Sequence, residues 1–141
     1  MQEKTEIASI ADRPSDRVPT SAIRWSCARC DVSVGQLDGK PTDLPATWTR
    51  SGGSTFCLAC SRALAGDAAT DSAPAACSRE ELARVRRDAV IEFEIGRTPL
   101  ALNREIANAC HTSPVAVAAV RNALEDTSSA SHQSAPAGSR I

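Results

Sequence analysis

Tyrosine is absent from this chain, and two Trp and two Phe make up its whole aromatic supply, 3% of 141 residues. A large aromatic core is therefore excluded, and a small module built from what remains needs a staple besides apolar burial. Charge of one sign is also lacking: 16 Lys plus Arg face 17 Asp plus Glu, a formal net charge of -1 at pH 7. That balance gives no global attraction to a polyanion, so any nucleic-acid contact has to use local clusters. Residues Ser78 to Asp126 are no different, with seven Arg against eight acidic residues. Long apolar runs are missing as well. The opening stretch MQEKTEIASIADRPSD is charged throughout, without the apolar region of a signal peptide, and no later run reaches bilayer-spanning length. A cytoplasmic protein with no membrane partner is the expectation. There is no Gly-rich phosphate loop, and the two histidines, His111 and His132, lie outside any metal-enzyme spacing; neither an enzyme nor a small-molecule substrate is expected.

What the chain does have is paired cysteine. Four of its six cysteines form Cys27-x-x-Cys30 and Cys57-x-x-Cys60, separated by the 26 residues from Asp31 to Phe56. Each pair brings two thiols onto one tight turn, which is metal-ligand spacing. In a reducing compartment such pairs are metal ligands or redox centres before they are disulfides. A thioredoxin-type redox centre would need a surrounding βαβ pattern, and none is present. Four thiolates saturate a zinc ion and leave no open position for water, so the expected cofactor is structural Zn2+ on Cys27, Cys30, Cys57 and Cys60. Backbone amides and the helix N-terminus near Cys57 are expected to offset the cage's negative charge, and Arg29 and Arg62 beside the cysteines have two equal readings, as further help or as solvated surface arginines.

Around those cysteines, Asp38-Gly39 and Gly52-Gly53 are turn signals, and Ala46 to Arg50 and Ser54 to Phe56 are short strand candidates for a hairpin. A helix is expected over Leu58 to Ala65. This order of cysteine knuckle, hairpin and helix opened by the second pair resembles the treble-clef and zinc-ribbon families over about 40 residues. Rubredoxins also place two such knuckles at roughly this separation, which makes an iron electron carrier the competing reading. They differ in a glycine soon after the first knuckle, a Pro-x-Cys-Gly second knuckle and an aromatic cluster. The stretches here are CARCDV and CLACSR, and Trp48 is the only rubredoxin-like feature.

Beyond the linker-like DAATDSAPAAC, Ser78 and Glu81 have capping-box spacing, and Cys77 before the cap is placed to touch Leu82 as a hydrophobic staple. Leu82, Val85, Ala89, Val90 and Phe93 recur at helical spacing, predicting a helix to about Ile95 that Gly96 stops. Two shorter helices follow, separated at His111-Thr112, with Ser113 as the cap and Pro114 at the first position of the last. His111 is read as a left-handed turn residue and Cys110 as a small core hydrophobe.

The stretch NREIANACHTSPVAVAAVRNAL resembles the helix-turn-helix of bacterial transcription regulators over about 22 residues. The turn position usually held by glycine is His111 here, and the following apolar position is Thr112. The resemblance implies that Ile106, Ala107, Cys110, Val117 and Val120 form core. It also implies that Thr112, Ser113, Val115, Ala116, Ala119 and Asn122 face DNA, with Arg104 and Arg121 flanking that surface as phosphate holders. The outward face is poor in groups that read base edges, Asn122 being the one squarely placed.

The expected fold class is thus a small α+β zinc module, treble-clef or zinc-ribbon-like, followed by an all-α trihelical helix-turn-helix module. The expected divisions are a disordered arm at 1–22, the four-cysteine zinc module at 23–66, a linker at 67–77, the helical module at 78–126 and a disordered tail at 127–141. The expected function is a DNA-binding or transcription-associated regulator. The alternative is a zinc-stabilised adaptor that holds a protein partner such as RNA polymerase or a second regulator.

Overall fold

Trp25–Ser26 (β1) and Ser33–Val34 (β2) pair antiparallel on either side of the first cysteine knuckle, with Trp25 opposite Val34 and Ser26 opposite Ser33. The computed structural model describes residues 24–35 and 42–132. The arm at 1–22, the Asp38-Gly39 turn and residues 133–141 of the expected tail lie outside the described residues. A second ladder joins Thr49–Ser51 (β3) to Ser54–Phe56 (β4). Its two-residue loop is Gly52-Gly53, with φ of 56° and 79°. Positive φ at both central positions gives the primed turn whose twist matches a hairpin, and glycine adopts it without a Cβ penalty. The first strand starts later than the expected Ala46, because Trp48 N–H donates to the Pro45 carbonyl at 2.9 Å and turns Ala46 and Thr47 out of the ladder.

From β4 the chain passes through Cys57 into α1, Leu58–Asp71, which overruns the expected end at Ala65 and takes in the first part of the expected linker. Packing explains the extension. Gly66 is buried, and a Cβ there would lie 2.8 Å from Arg86 Cγ on the next helix, so α1 crosses its neighbour closely at this glycine. That neighbour, α2, covers Arg79–Arg97 and makes with α1 the most extensive helix contact among the described residues. The cysteine-bearing segment and the later helices thus meet along the α1–α2 pair.

The N-terminus of α2 carries the expected capping box: Glu81 N–H donates to Ser78 Oγ at 3.2 Å, and Ser78 N–H donates to Glu81 Oε2 at 2.6 Å. Gly96 does not stop the helix. Arg97 is its last residue, and Thr98 (φ -134°, ψ 68°) has left helical space as the residue before Pro99 must. The stripe from Leu82 to Phe93 is only half-buried, whereas Ile91, Glu94 and Ile95 are buried. The helix has partners on two sides, α1 on one and the later helices on the other.

Next come α3, Asn103–Ala109, and α4, Pro114–His132. Glu105 Oε2 accepts from Leu102 N–H at 2.8 Å and satisfies one amide at the start of α3. At its end His111 adopts φ 53°, while Thr112 N–H reaches the Ala107 carbonyl at 2.9 Å. This left-handed cap is the geometry expected of His111. Ser113 Oγ accepts from Ala116 N–H at 3.2 Å, and Pro114 occupies the first helical position. Ile91 and Ile95 pack with Ile106, Ala107, Val117 and Val120, and Cys110, Ala116 and Leu124 lie against that core. The last helix continues to His132, past the expected start of the tail at Thr127. No glycine or proline interrupts it. Hydroxyls of Thr127, Ser128, Ser129 and Ser131 donate to carbonyls four residues back at 2.9 to 3.0 Å.

Glu94 is the one fully buried charged residue among those described, at 1% exposure. Arg62 Nε of α1 lies 2.6 Å from its Oε1 and Arg97 Nη2 lies 2.8 Å from its Oε2. Burial alone would raise the carboxyl's pKa, but hydrogen bonds from Arg97 and Arg62 outweigh it and hold the group below its ordinary 4.5. Its stabilising contribution is complete above about pH 4.5 and is lost as pH falls through the lowered folded value. Removing one partner of a buried pair strands the other charge, so Glu94→Ala is expected to lose about 3 kcal/mol or more in urea unfolding at pH 7.

Candidate metal centre

Each cysteine pair is set by a different local device. In the first knuckle, Cys27 N–H donates to the Val32 carbonyl at 2.8 Å and Asp31 N–H to the Cys27 carbonyl at 2.9 Å, with Asp31 itself at φ 61°. Ala28 N–H donates to the Thr55 carbonyl at 2.9 Å and Thr55 Oγ1 to the Ser26 carbonyl at 2.7 Å, which fasten this knuckle to β4. The second pair sits at the mouth of α1, with Cys57 as its N-cap residue and Cys60 in its first turn. Thr49 and Ser61 hydroxyls share a 2.6 Å hydrogen bond that ties the hairpin to that turn.

These devices bring the sulfurs of Cys27, Cys30, Cys57 and Cys60 within 4.8 Å of one another. Cys30 and Cys57 Sγ, from different pairs, are 3.8 Å apart, and all six cysteines of the chain are free thiols. A tetrahedron of thiolates with bonds of about 2.3 Å has sulfur–sulfur edges of about 3.8 Å, so the four cysteines fit a single metal ion. Cys27 and Cys60 are buried, Cys57 is half-buried and Cys30 is exposed. The four thiols would supply every bond of a four-coordinate ion.

The electrostatics of the thiols are uneven. Burial opposes ionisation of Cys27, but the amides of Cys57, Cys30 and Arg29 outweigh it and bring this thiol down to about 6. Cys57 N–H reaches Cys27 Sγ at 3.4 Å. Cys60 is pushed up to about 12, by burial first and then by the neighbouring thiols. One thiolate is thus favoured without a cation, and a cation is what relieves the repulsion against forming the rest. Backbone amides offset the charge as expected, and Asp67 first, then Cys60 and Cys27, favour the charged form of Arg29. Arg29 pairs with Asp67 at 2.8 Å and Arg62 with Glu94 at 2.6 Å, so both answer carboxylates of the helices.

Cys77 stands outside the four-sulfur group. Cys110 lies against the helical core, where burial pushes its thiol up, as suits a small hydrophobe.

The residues expected to meet DNA divide into two sets. Arg104, Ser113, Val115, Ala119 and Asn122 are exposed, and Thr112 is half-buried. Ala116 instead is half-buried and packs against the helical core. Arg121 carries its charge without a described carboxylate partner, but its donors are engaged within the fold. Its guanidinium donates to Asn103 Oδ1 at 2.8 Å, the Pro99 carbonyl at 3.1 Å and the Ala101 carbonyl at 2.6 Å, tying α4 to the loop before α3.

Sequence reading missed the connection between the halves. Asp67 Oδ1 takes Arg86 Nη1 at 2.6 Å while its Oδ2 takes Arg29, and Glu94 takes Arg62. The available signal was Glu94 itself, a carboxylate between Ile91 and Ile95 in the buried stripe.

Comparison with protein families, with curated proteins and with solved structures finds no match. Among the described residues no helix is long and apolar enough to cross a membrane. With one ligand gone, a Cys57→Ser chain is expected to retain less than one metal ion per chain and to unfold around Trp25 and Trp48 first. Metal analysis with tryptophan fluorescence checks both outcomes, and full metal content at unchanged thermal stability would contradict the four-ligand assignment.

Proposed function

We propose that this protein is a DNA-binding, transcription-associated regulator in which zinc on Cys27, Cys30, Cys57 and Cys60 serves as a structural ion. The sulfur spacing and the closed, all-thiolate ligand set support zinc in that role. The observation that carries the DNA reading is the packing of α3 onto α4 through the left-handed turn at His111, with Ser113 and Pro114 opening the second helix. Such a pair is read as a helix-turn-helix, whose second helix lies in the major groove. On α4 the exposed Val115, Ala119 and Asn122 recur at i, i+4 and i+7 and so share one face. Arg104 on the first turn of α3 is exposed, and no described carboxylate pairs with it.

In this reading Arg104 contacts a phosphate, Asn122 is the main base-reading group, and Val115 and Ala119 meet thymine methyls. Arg121 acts indirectly, by holding the α3 approach against α4. The small number of base-reading groups implies modest sequence discrimination.

The adaptor reading is favoured by a different observation: Leu100, Leu102 and Val115 are 96%, 55% and 78% exposed, while the chain is near neutral. Electrophoretic binding of the full chain to DNA at low salt separates the two. Arg104→Ala is expected to weaken binding to all sequences alike and to lower the salt slope by about 1. Asn122→Ala is expected to cost roughly 1–3 kcal/mol on the preferred sequence only. No DNA affinity, together with capture of purified RNA polymerase that Val115→Glu abolishes, would overturn the DNA reading in favour of the adaptor.

A further inference from the structure

The first turn of α1 depends on its surroundings to an unusual degree. Its cap residue, Cys57, makes no side-chain capping bond, and no acidic residue occupies the first turn. A helix of 14 residues is marginal by itself, and this one lacks the usual aids at its start. What fixes that turn is Cys57 and Cys60 at the four-sulfur site and the Thr49–Ser61 hydroxyl pair.

Arg62 follows Cys60 by two residues, and its guanidinium is the α1 group that reaches Glu94 at 2.6 Å. Glu94 lies in the same buried run as Ile91 and Ile95, which pack against Ile106 and Val117 of the last two helices. The other ionic link between the halves, Asp67 to Arg86, has side chains 36% and 45% exposed, and pairs of that kind are worth little. The buried link is the one whose loss leaves a carboxylate short of a partner away from water.

We infer that metal occupancy of the four cysteines controls the α3–α4 unit, through the Arg62–Glu94 contact that joins α1, one residue past its first turn, to the helical core. With the cation bound, the first turn of α1 is fixed and Arg62 neutralises Glu94. With the cation removed, the turn loosens, Arg62 leaves, and Glu94 keeps Arg97 alone. The core that sets α3 against α4 then loses stability. The ligand of this switch is a thiophilic divalent cation, and the surface it governs is the one proposed above to meet DNA. The inference rests on the reading that the four cysteines bind zinc.

Backbone amide exchange of the full chain tests it in four states: wild type and Arg62→Met, each zinc-loaded and each after chelation, with metal content measured in every sample. The reporters are the amides of Cys110, Val117 and Val120. Chelation of the wild type is expected to speed their exchange at least tenfold. Arg62→Met is expected to keep one zinc per chain yet show the raised exchange already, with less than a twofold further change on chelation. Equal acceleration by chelation in the two chains would overturn the inference, because the metal would then act by a route other than Arg62. So would unchanged exchange in wild type from which the zinc has demonstrably gone. A chain that takes up no zinc at all would overturn the zinc reading and the switch together, an outcome the metal analysis separates from the other two.

Discussion

Four sulfurs within 4.8 Å of one another require two turns 26 residues apart in sequence to be built side by side, and the first half of the chain is arranged to meet that requirement. The first knuckle borrows its backbone partners from β1, β2 and β4. The second has no knuckle of its own and uses the mouth of a helix instead. Neither ladder exceeds three residues per strand, too little to stand alone in water. The thiols also repel one another once ionised. A cation held by the four sulfurs would resolve the chain-entropy and charge problems together, as a small, aromatic-poor module needs.

The constraint extends further than the metal site because α1 belongs to both halves. Its first turn carries Cys60 and Ser61, its middle crosses α2 at Gly66, and Arg62 between them reaches the buried Glu94 of α2. Glu94 is therefore a joint as well as a core residue. Its two guanidinium partners come from different helices, so the pair fixes how α1 lies on α2 in a way apolar contacts do not specify. The apolar core beyond it is modest, consisting of Ile91, Ile95, Ile106, Ala107, Val117 and Val120. A core of that size gains from every device that orients its helices, and Arg121 supplies another by gripping the loop before α3.

Features encoded within a few residues were legible in the sequence. The cysteine spacing, the Gly52-Gly53 hairpin, the Ser78–Glu81 box, His111 and the Ser113-Pro114 start all follow from rules of local geometry, and each appears as expected. Features that depend on what lies opposite were not legible. α1 outruns its local pattern because α2 supports it, and α4 outruns its pattern with its serine and threonine hydroxyls bonded back to its own carbonyls. Arg62 and Glu94 are 32 residues apart, and neither announces the other. Arg29, Arg62 and Arg121 stand in the sequence beside functional groups as if free, but partners distant in sequence occupy all three. Exposed positions on α4 were easier to place than charged ones, since helical periodicity governs the former and tertiary pairing the latter.

X-ray absorption at the metal edge of the purified full-length protein tests most directly the claim that one zinc ion on four thiolates organises the first half of the chain. The account predicts zinc at one ion per chain, with a single shell of four sulfurs at about 2.3 Å. Iron in its place, or a zinc shell containing nitrogen or oxygen, would contradict it.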